Sequence, residues 1–418
     1  MNANSVSQQQ QQLYEVLING RLYDCRNFKH PGGSVLRFFC GSGDATETFM
    51  EFHMRMPKAA KQLQQLPSRP APEWIGEDLK ETARLKKLSR DFNNLRTEFV
   101  QEGMYDPSYL HVFYRLGELV VMHALGLYLL LWTPYWIPAC VLLGIAEGRC
   151  GWVEHEGGHH SLFGNHWLDQ KIQEVCYGLG DGMSAAWWRS QHNKHHATPQ
   201  KLRHDADLDT LPLVAFNRIV AEKARNSSLV RRWLSMQMYL FVPITCSLVA
   251  LSWQLFLHPR HMIRTRRYTE MACAACRLLL ILAICRSLQL TLLQSIGGYL
   301  FYQFFGAAYI FVNFALSHSH LGVLSADAHV HWVEFASVYT INIAPHWLTN
   351  WWMGYLNFQI EHHLFPTMPQ FRFVSLYPRV RRLFEDNGLK YDCRPYWDAM
   401  STTFRNLGHV GDMFKESS

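Results

Sequence analysis

Three groups of histidines constrain this chain more than any other feature. Gln359, His362 and His363 stand at i, i+3 and i+4 within the run GYLNFQIEHHLFPTMP, Gly354 to Pro369. That spacing puts three side chains on one face of a helix, aimed at one spot. His192, His195 and His196 repeat the pattern, and His155 and His159 stand at i and i+4 with His160 beside them. A lone histidine on an apolar face usually belongs to a core. Three such groups, each beside apolar sequence, make a metal site. Neutral imidazole suits zinc, copper, iron and nickel, and the absence of nearby cysteine pairs argues against structural zinc. Eight or more histidines are too many for one ion and suit two. Carboxylate di-iron bundles use paired Glu-x-x-His motifs. Only Glu156 to His159 clearly fits here, so the ligand set is histidine-rich and points to a different di-iron class.

The runs HEGGHH, HNKHH and QIEHH resemble the three histidine boxes of membrane fatty acyl desaturases. Glutamine at 359, where many relatives carry histidine, is similar to the front-end group of delta-5 or delta-6 type. That group places a new double bond between an existing one and the carboxyl end. The resemblance implies two non-haem iron ions and a metal-ligand set of His155, His159, His160, His192, His195, His196, His318, His362 and His363. His318 enters because relatives carry a further histidine after the last apolar stretch; His320 is a candidate neighbour of the ligands. Gln359 is the expected catalytic residue, through binding iron, bridging by a water, or positioning the acyl chain.

Near the start, His30-Pro31-Gly32-Gly33 and the later DATETFMEFH ending at His53 resemble the two axial ligand sites of cytochrome b5. Proline and glycines make a tight turn of little bulk that lets a haem edge approach. Two axial histidines leave no open position on haem b, so such a haem passes electrons and does not bind oxygen. The alternation in YEVLINGRLYD predicts strands joined by a turn at Asn19-Gly20.

The expected organisation is multi-domain. A disordered tail (1–12) leads into a small α/β cytochrome b5-like domain (13–66). A linker and amphipathic helix (67–105) follow, then a mainly α-helical membrane desaturase domain (106–418) with about four transmembrane helices. The tail is polar, rich in glutamine and lacks the apolar core of a signal peptide, so insertion rests on internal segments. Pro67 to Pro72 reads as a linker by composition. Glu77 to Glu102 has mixed charges and puts Leu79, Leu85, Leu88 and Phe92 on one side, which favours packing on the catalytic domain over lying on lipid. Leu116 to Trp132 and Trp136 to Ile145 read as a transmembrane hairpin running into the first histidine group.

Three apolar stretches precede the third group: 236 to 257, 274 to 293 and 295 to 317. All three groups must meet on one face, so the chain crosses an even number of times and one stretch does not cross. Arginines flank the first on both sides, which makes it re-entrant or interfacial. Against this, Arg277 and Arg286 are costly inside the second. The alternative has 236 to 257 crossing and 274 to 293 on the surface.

The segment His204-Asp205-Ala206-Asp207-Leu208-Asp209 is either a set of carboxylates orienting imidazoles or a solvated acidic loop. Lys194, Lys201 and Arg203 are either a site for an anionic head group or an ordinary basic surface. The net charge of +6 suits an anionic lipid or head group and gives no ground for nucleic acid. Ten scattered cysteines read as small apolar residues of a reducing compartment, and Cys273 and Cys276 lack a second pair for a metal.

The implied activity is an oxygen-dependent acyl desaturase, acting on acyl-CoA and fed electrons by NADH-cytochrome b5 reductase through the fused haem. The implied location is the endoplasmic reticulum membrane, with haem domain and metal site cytosolic. Two other readings stay open. One is a sphingolipid or other lipid desaturase or hydroxylase of the same di-iron class. The other is a membrane-tethered electron carrier with degenerate histidine groups, which would hold haem iron alone.

Overall fold

The computed structural model describes residues 14–41, 43–72, 79–326 and 328–415. The expected tail and the first residues of the amphipathic helix lie outside them. Glu15–Ile18 and Arg21–Asp24 pair antiparallel around Asn19 and Gly20, both at positive φ (50° and 71°), as the alternation predicts. A third strand, Ser68–Pro70, adds antiparallel to Arg21–Asp24. This corrects the reading of Pro67 to Pro72 as a linker. Proline is tolerated on an edge strand, and Arg69 fixes this one through two bonds to the Glu15 carboxylate (3.0 and 2.7 Å). Helices Thr46–Phe52 and Pro57–Gln65 cover the sheet over a core of Val16, Ile18, Cys25 and Ala45.

Helix Leu79–Gln101 packs on the catalytic domain. Leu88, Phe92 and Phe99 are fully buried against Phe365, Phe373 and Leu376, which follow the third histidine group.

Among the described residues, four helices are long and apolar enough to cross a membrane: Tyr109–Trp132, Gln237–Thr265, Tyr268–Ser287 and Leu292–Ala315. A fifth, Trp136–Gly158, falls outside that set by composition yet packs along both Tyr109–Trp132 and Leu292–Ala315. It continues from the apolar stretch 136 to 145 into the first histidine group, as expected from sequence. Its charges are absorbed by neighbours: Arg149 pairs with Glu118 at 2.6 Å and lies over the Trp351 ring, and Glu147 pairs with Arg277 at 3.0 Å. Gly144 and Gly148 let it approach closely, since a Cβ at either would meet Leu292–Ala315 at 2.5 Å.

Both ends of Gln237–Thr265 are anchored by polar groups of other segments. At its start, Gln237 bonds Ala215 (3.0 and 2.9 Å) and the Leu407 carbonyl. At its far end, His258 accepts from the Ser184 amide at 2.7 Å, and Glu270, just beyond, holds Ser184 and Ala186 at the start of the helix that carries the second histidine group. The other four long helices form two hairpins, turned at 133–135 and 288–291. Arg277 is satisfied by Glu147, the Tyr302 hydroxyl (3.2 Å) and the carbonyls of Leu179 and Gly180; Arg286 is exposed near a helix end.

A glycosylation acceptor placed in the 288–291 turn is expected to be modified in endoplasmic reticulum membranes, and one beside Arg264 to stay unmodified. Modification at Arg264, read as a gel shift removed by glycosidase, would make Gln237–Thr265 a crossing.

Candidate metal centre

The first histidine group stands at the end of Trp136–Gly158, whose last turn is squeezed against its neighbours. A Cβ on Gly158 would lie 2.6 Å from the Trp188 ring. The second group rides on Ala185–Ala197, capped by the Ser184 hydroxyl accepting from Trp187. The third occupies the short helix Gln359–Leu364, whose Ile360 amide is held by Asn342 at 2.9 Å.

These helices sort the histidines into two sets. His155, His159, His192, His196 and His362 offer ring nitrogens within 4.8 Å of one another, and so do His195, His318 and His363. The sets adjoin, with the rings of His196 and His363 stacked at 4.2 Å. Within them, Nε2 atoms face each other: His192 with His159 at 3.0 Å, His196 with His192 at 3.0 Å, and His363 with His318 at 3.1 Å. Two imidazoles bound at about 2.1 Å and at right angles on one ion would put their nitrogens about 3.0 Å apart. Both nitrogens of His362 are buried with no hydrogen-bond partner. Such orphans are expensive, and a metal would satisfy one of them. The residues fit a pair of ions.

Electrostatics agree. Burial, reinforced by neighbouring imidazoles, holds His192, His196, His362 and His363 far below the usual histidine range, and burial lowers His318 to about 4. These rings are neutral, the form that metals bind. His195 differs. Burial disfavours its charge, but Asp205 and Asp207 overcome that and lift it to about 9.

The HDADLD segment does both things expected of it. Asp205 is buried and accepts from His195 Nδ1 (3.0 Å) and the Gln200 amide (2.7 Å), while Gln200 also bonds the His318 carbonyl. Asp207 is largely exposed with one oxygen 3.3 Å from His195, and Asp209 faces solvent. Lys201 is buried and Arg203 exposed, so they do not form one basic patch with Lys194.

His160 is not brought to the site. The helix ends at Gly158, and His160 turns into the left-handed region (φ 59°) with its ring 4.1 Å from that of His166. This corrects its expected place among the ligands: i+5 of a helix that has already stopped does not share the face. His320 bonds Arg394 and lies apart from both sets. Gln359 is buried with Oε1 3.2 Å from His318 Nε2. Sequence reasoning missed Gln370, whose side-chain amide lies 2.7 Å from His155 Nδ1 and whose backbone amide bonds Glu156. Turning that amide gives His155 Nδ1–H the otherwise unpaired Oε1 and leaves Nε2 for metal. Only its position shortly after the third group hinted at it.

In the N-terminal domain the rings of His30 and His53 face each other, 5.9 Å between centroids. His53 Nδ1–H donates to the Phe49 carbonyl at 2.9 Å, which frees Nε2. Gly32 is required because a Cβ there would lie 2.8 Å from the His30 ring. The pair fits a haem held on both faces.

A family model described as fatty acid desaturase matches residues 130–395. The chain belongs to that family. A second model, for the cytochrome b5-like haem/steroid binding domain, matches residues 4–119. The desaturase is 49% identical to an acyl-lipid (8-3)-desaturase of Rebecca salina, covering 95% of this chain and 91% of the relative. It is 46% identical to a protein of the same name from Thraustochytrium sp, at 95% and 92%. Fatty acid desaturase 3 of Homo sapiens is 28% identical over 96% of this chain and 91% of its own. The desaturase thus carries haem in its N-terminal domain and a di-iron site among its histidines, and the reading as an electron carrier alone falls away.

A cavity of about 750 Å³ opens from His155, His192, His195, His318 and Gln359. It descends between Gln237–Thr265 and Leu292–Ala315, past Phe241, Ala250, Ile310 and Phe311, to Tyr177, Asp181 and Glu147. Its size and mostly apolar walls suit one acyl chain.

His362→Ala is expected to lose non-haem iron, and His160→Ala to keep both ions, by metal analysis of purified protein. Asp205→Asn should weaken iron binding by about 10–100-fold, since it loosens His195.

Proposed function

We propose that this front-end acyl-lipid desaturase introduces a cis double bond, at delta-5 or delta-6, between an existing double bond and the carboxyl end of a polyunsaturated chain. The observation that carries the reading is the apolar cavity ending at both histidine sets. The substrate is held as an acyl lipid. Two relatives near half identity are named acyl-lipid desaturases, which favours a lipid carrier over the acyl-CoA expected from sequence. We assign His155, His159, His192, His196 and His362 to one ion and His195, His318 and His363 to the other. What supports this is their nitrogen spacing and the orphaned atoms of His362.

Two iron ions held by these histidines would supply, with dioxygen, an oxidant strong enough to take hydrogen from an unactivated methylene. The chain's own residues do the rest. The cavity walls exclude water and align the acyl chain under the metal layer. Asp205 and Gln370 hold His195 and His155 in register. Gln359 presents its amide oxygen beside His318, where the second set has fewer imidazoles than the first, so it completes that set directly or through a water. Electrons arrive singly through His30 and His53, from NADH-cytochrome b5 reductase, at the cytosolic face of the endoplasmic reticulum.

Cells expressing the protein and fed single polyunsaturated acids are expected to accumulate a product with one new double bond on the carboxyl side, first in a phospholipid fraction. A hydroxylated product, or labelling of the acyl-CoA pool first, would overturn the reaction or the carrier respectively. Gln359→Ala should lose most activity with the haem spectrum intact; normal turnover would remove any catalytic role. Gln359→His separates coordination, which imidazole restores, from positioning, which it does not.

A further inference from the structure

The haem domain does not hang free on its tether. Glu51, fully buried in helix Thr46–Phe52, takes Arg96 on one carboxylate oxygen (2.6 Å) and the Tyr105 hydroxyl on the other (2.9 Å). Its carbonyl accepts from Thr367, four residues past His363. Arg55 bonds the carbonyls of Thr367 (3.2 Å) and Tyr105. These bonds bolt the residues around His53 to the loop that follows the third histidine group. At the centre of the contact stands Phe52. It precedes His53, its ring lies 6.4 Å edge-on from that of His196, and it rests on Trp332 at 6.0 Å.

We propose that Phe52 is the bridge over which electrons leave the haem ligand His53 for the iron ligand His196, in a docked pose fixed by Glu51. This rests on the desaturase reading of the two sites. Each passage moves one electron: ferrous haem iron is oxidised to ferric, and one ferric ion of the pair is reduced to ferrous. No bond is made or broken, and two passages serve each turnover. Electron tunnelling weakens exponentially with distance and more steeply through gaps than through packed atoms. A single peptide step followed by one ring contact joins the two ligand sets here. A second aromatic contact crosses the same interface, Phe38 stacked on His204 at 4.3 Å. His204 is joined along the chain to Asp205, whose bond to His195 leads to the iron ligands. That route is longer, and Phe38 acts in docking.

The test uses the full chain, loaded with haem and ferric iron, without oxygen. The haem is photoreduced and its return to the ferric form is followed by absorbance. Phe52→Ala is expected to slow that return at least about tenfold with haem spectrum and iron content unchanged, and Phe52→Tyr to keep the wild-type rate. Should Phe52→Ala lose haem or iron, Phe52→Leu, which refills the space against Trp332, decides by the same rate. A wild-type rate in Phe52→Ala or Phe52→Leu overturns the proposal. So does a rate loss confined to Phe38→Ala, or unchanged reoxidation in chains stripped of non-haem iron. Failure of the desaturase reading looks different: wild-type protein reduced chemically at the iron pair then makes no double bond, whatever the haem rate.

Discussion

Eight imidazoles crowded into one buried layer govern the rest of this structure. Each ring is useful only if neutral and aimed within a few tenths of an ångström, so the layer needs rigid carriers and oriented second nitrogens. The carriers come from helix ends far apart in sequence, at 155–159, 192–196 and 359–363, with His318 after a fourth helix. Bringing them to one face imposes parity on the membrane domain. Two long helices lie before the first group and three between the second and the fourth contribution, so one of those three must return to the layer. Gln237–Thr265, flanked by arginines on both sides, walls the cavity that opens beneath this layer.

The same layer explains where charge is tolerated among apolar helices. Arg277 sits where no lipid can reach it, paired with Glu147 and wrapped by the Gly180 carbonyl and Tyr302. Arg149 joins Glu118, Trp351 and the Tyr309 hydroxyl beneath His155. Removing one partner from such a pair would strand a buried charge at a cost of about 3–5 kcal/mol. These pairs therefore fix the relative height of neighbouring helices, and with it the alignment of the histidines above. Glu147 also lines the cavity with Asp181, which ends its apolar stretch.

Most of the site was legible in the sequence because helical periodicity alone predicts which side chains converge. The i, i+3, i+4 pattern found every histidine of both sets that lies on a helix. It failed at His160, because periodicity carries no information about where a helix stops, and the left-handed turn after Gly158 lies beyond it. Orienting groups split by type. Asp205 was visible as an acidic neighbour, whereas Gln370 is a common residue in a loop, and only tertiary contact reveals what it holds. The strand Ser68–Pro70 was hidden by its two flanking prolines, which composition reads as a linker.

Fusion of the haem domain is commonly justified by effective concentration, since a tether raises the encounter rate without any new contact. A tether alone would need only a flexible linker, and this chain has something else. Between the haem domain and the first membrane helix runs Leu79–Gln101, a helix whose Phe92 stacks on Phe365, whose Phe99 meets the same ring edge-on and whose Arg96 closes on Glu51. The connection is thus part of the core that supports the third histidine group. Ordering it costs conformational entropy once, during folding, and not at every electron transfer. A donor that must deliver two electrons singly to the same acceptor gains most from such an arrangement, because the second delivery needs no second search. The haem domain is accordingly less a passenger than one wall of the desaturase, and its docking surface is under the same geometric demand as the metal layer it feeds.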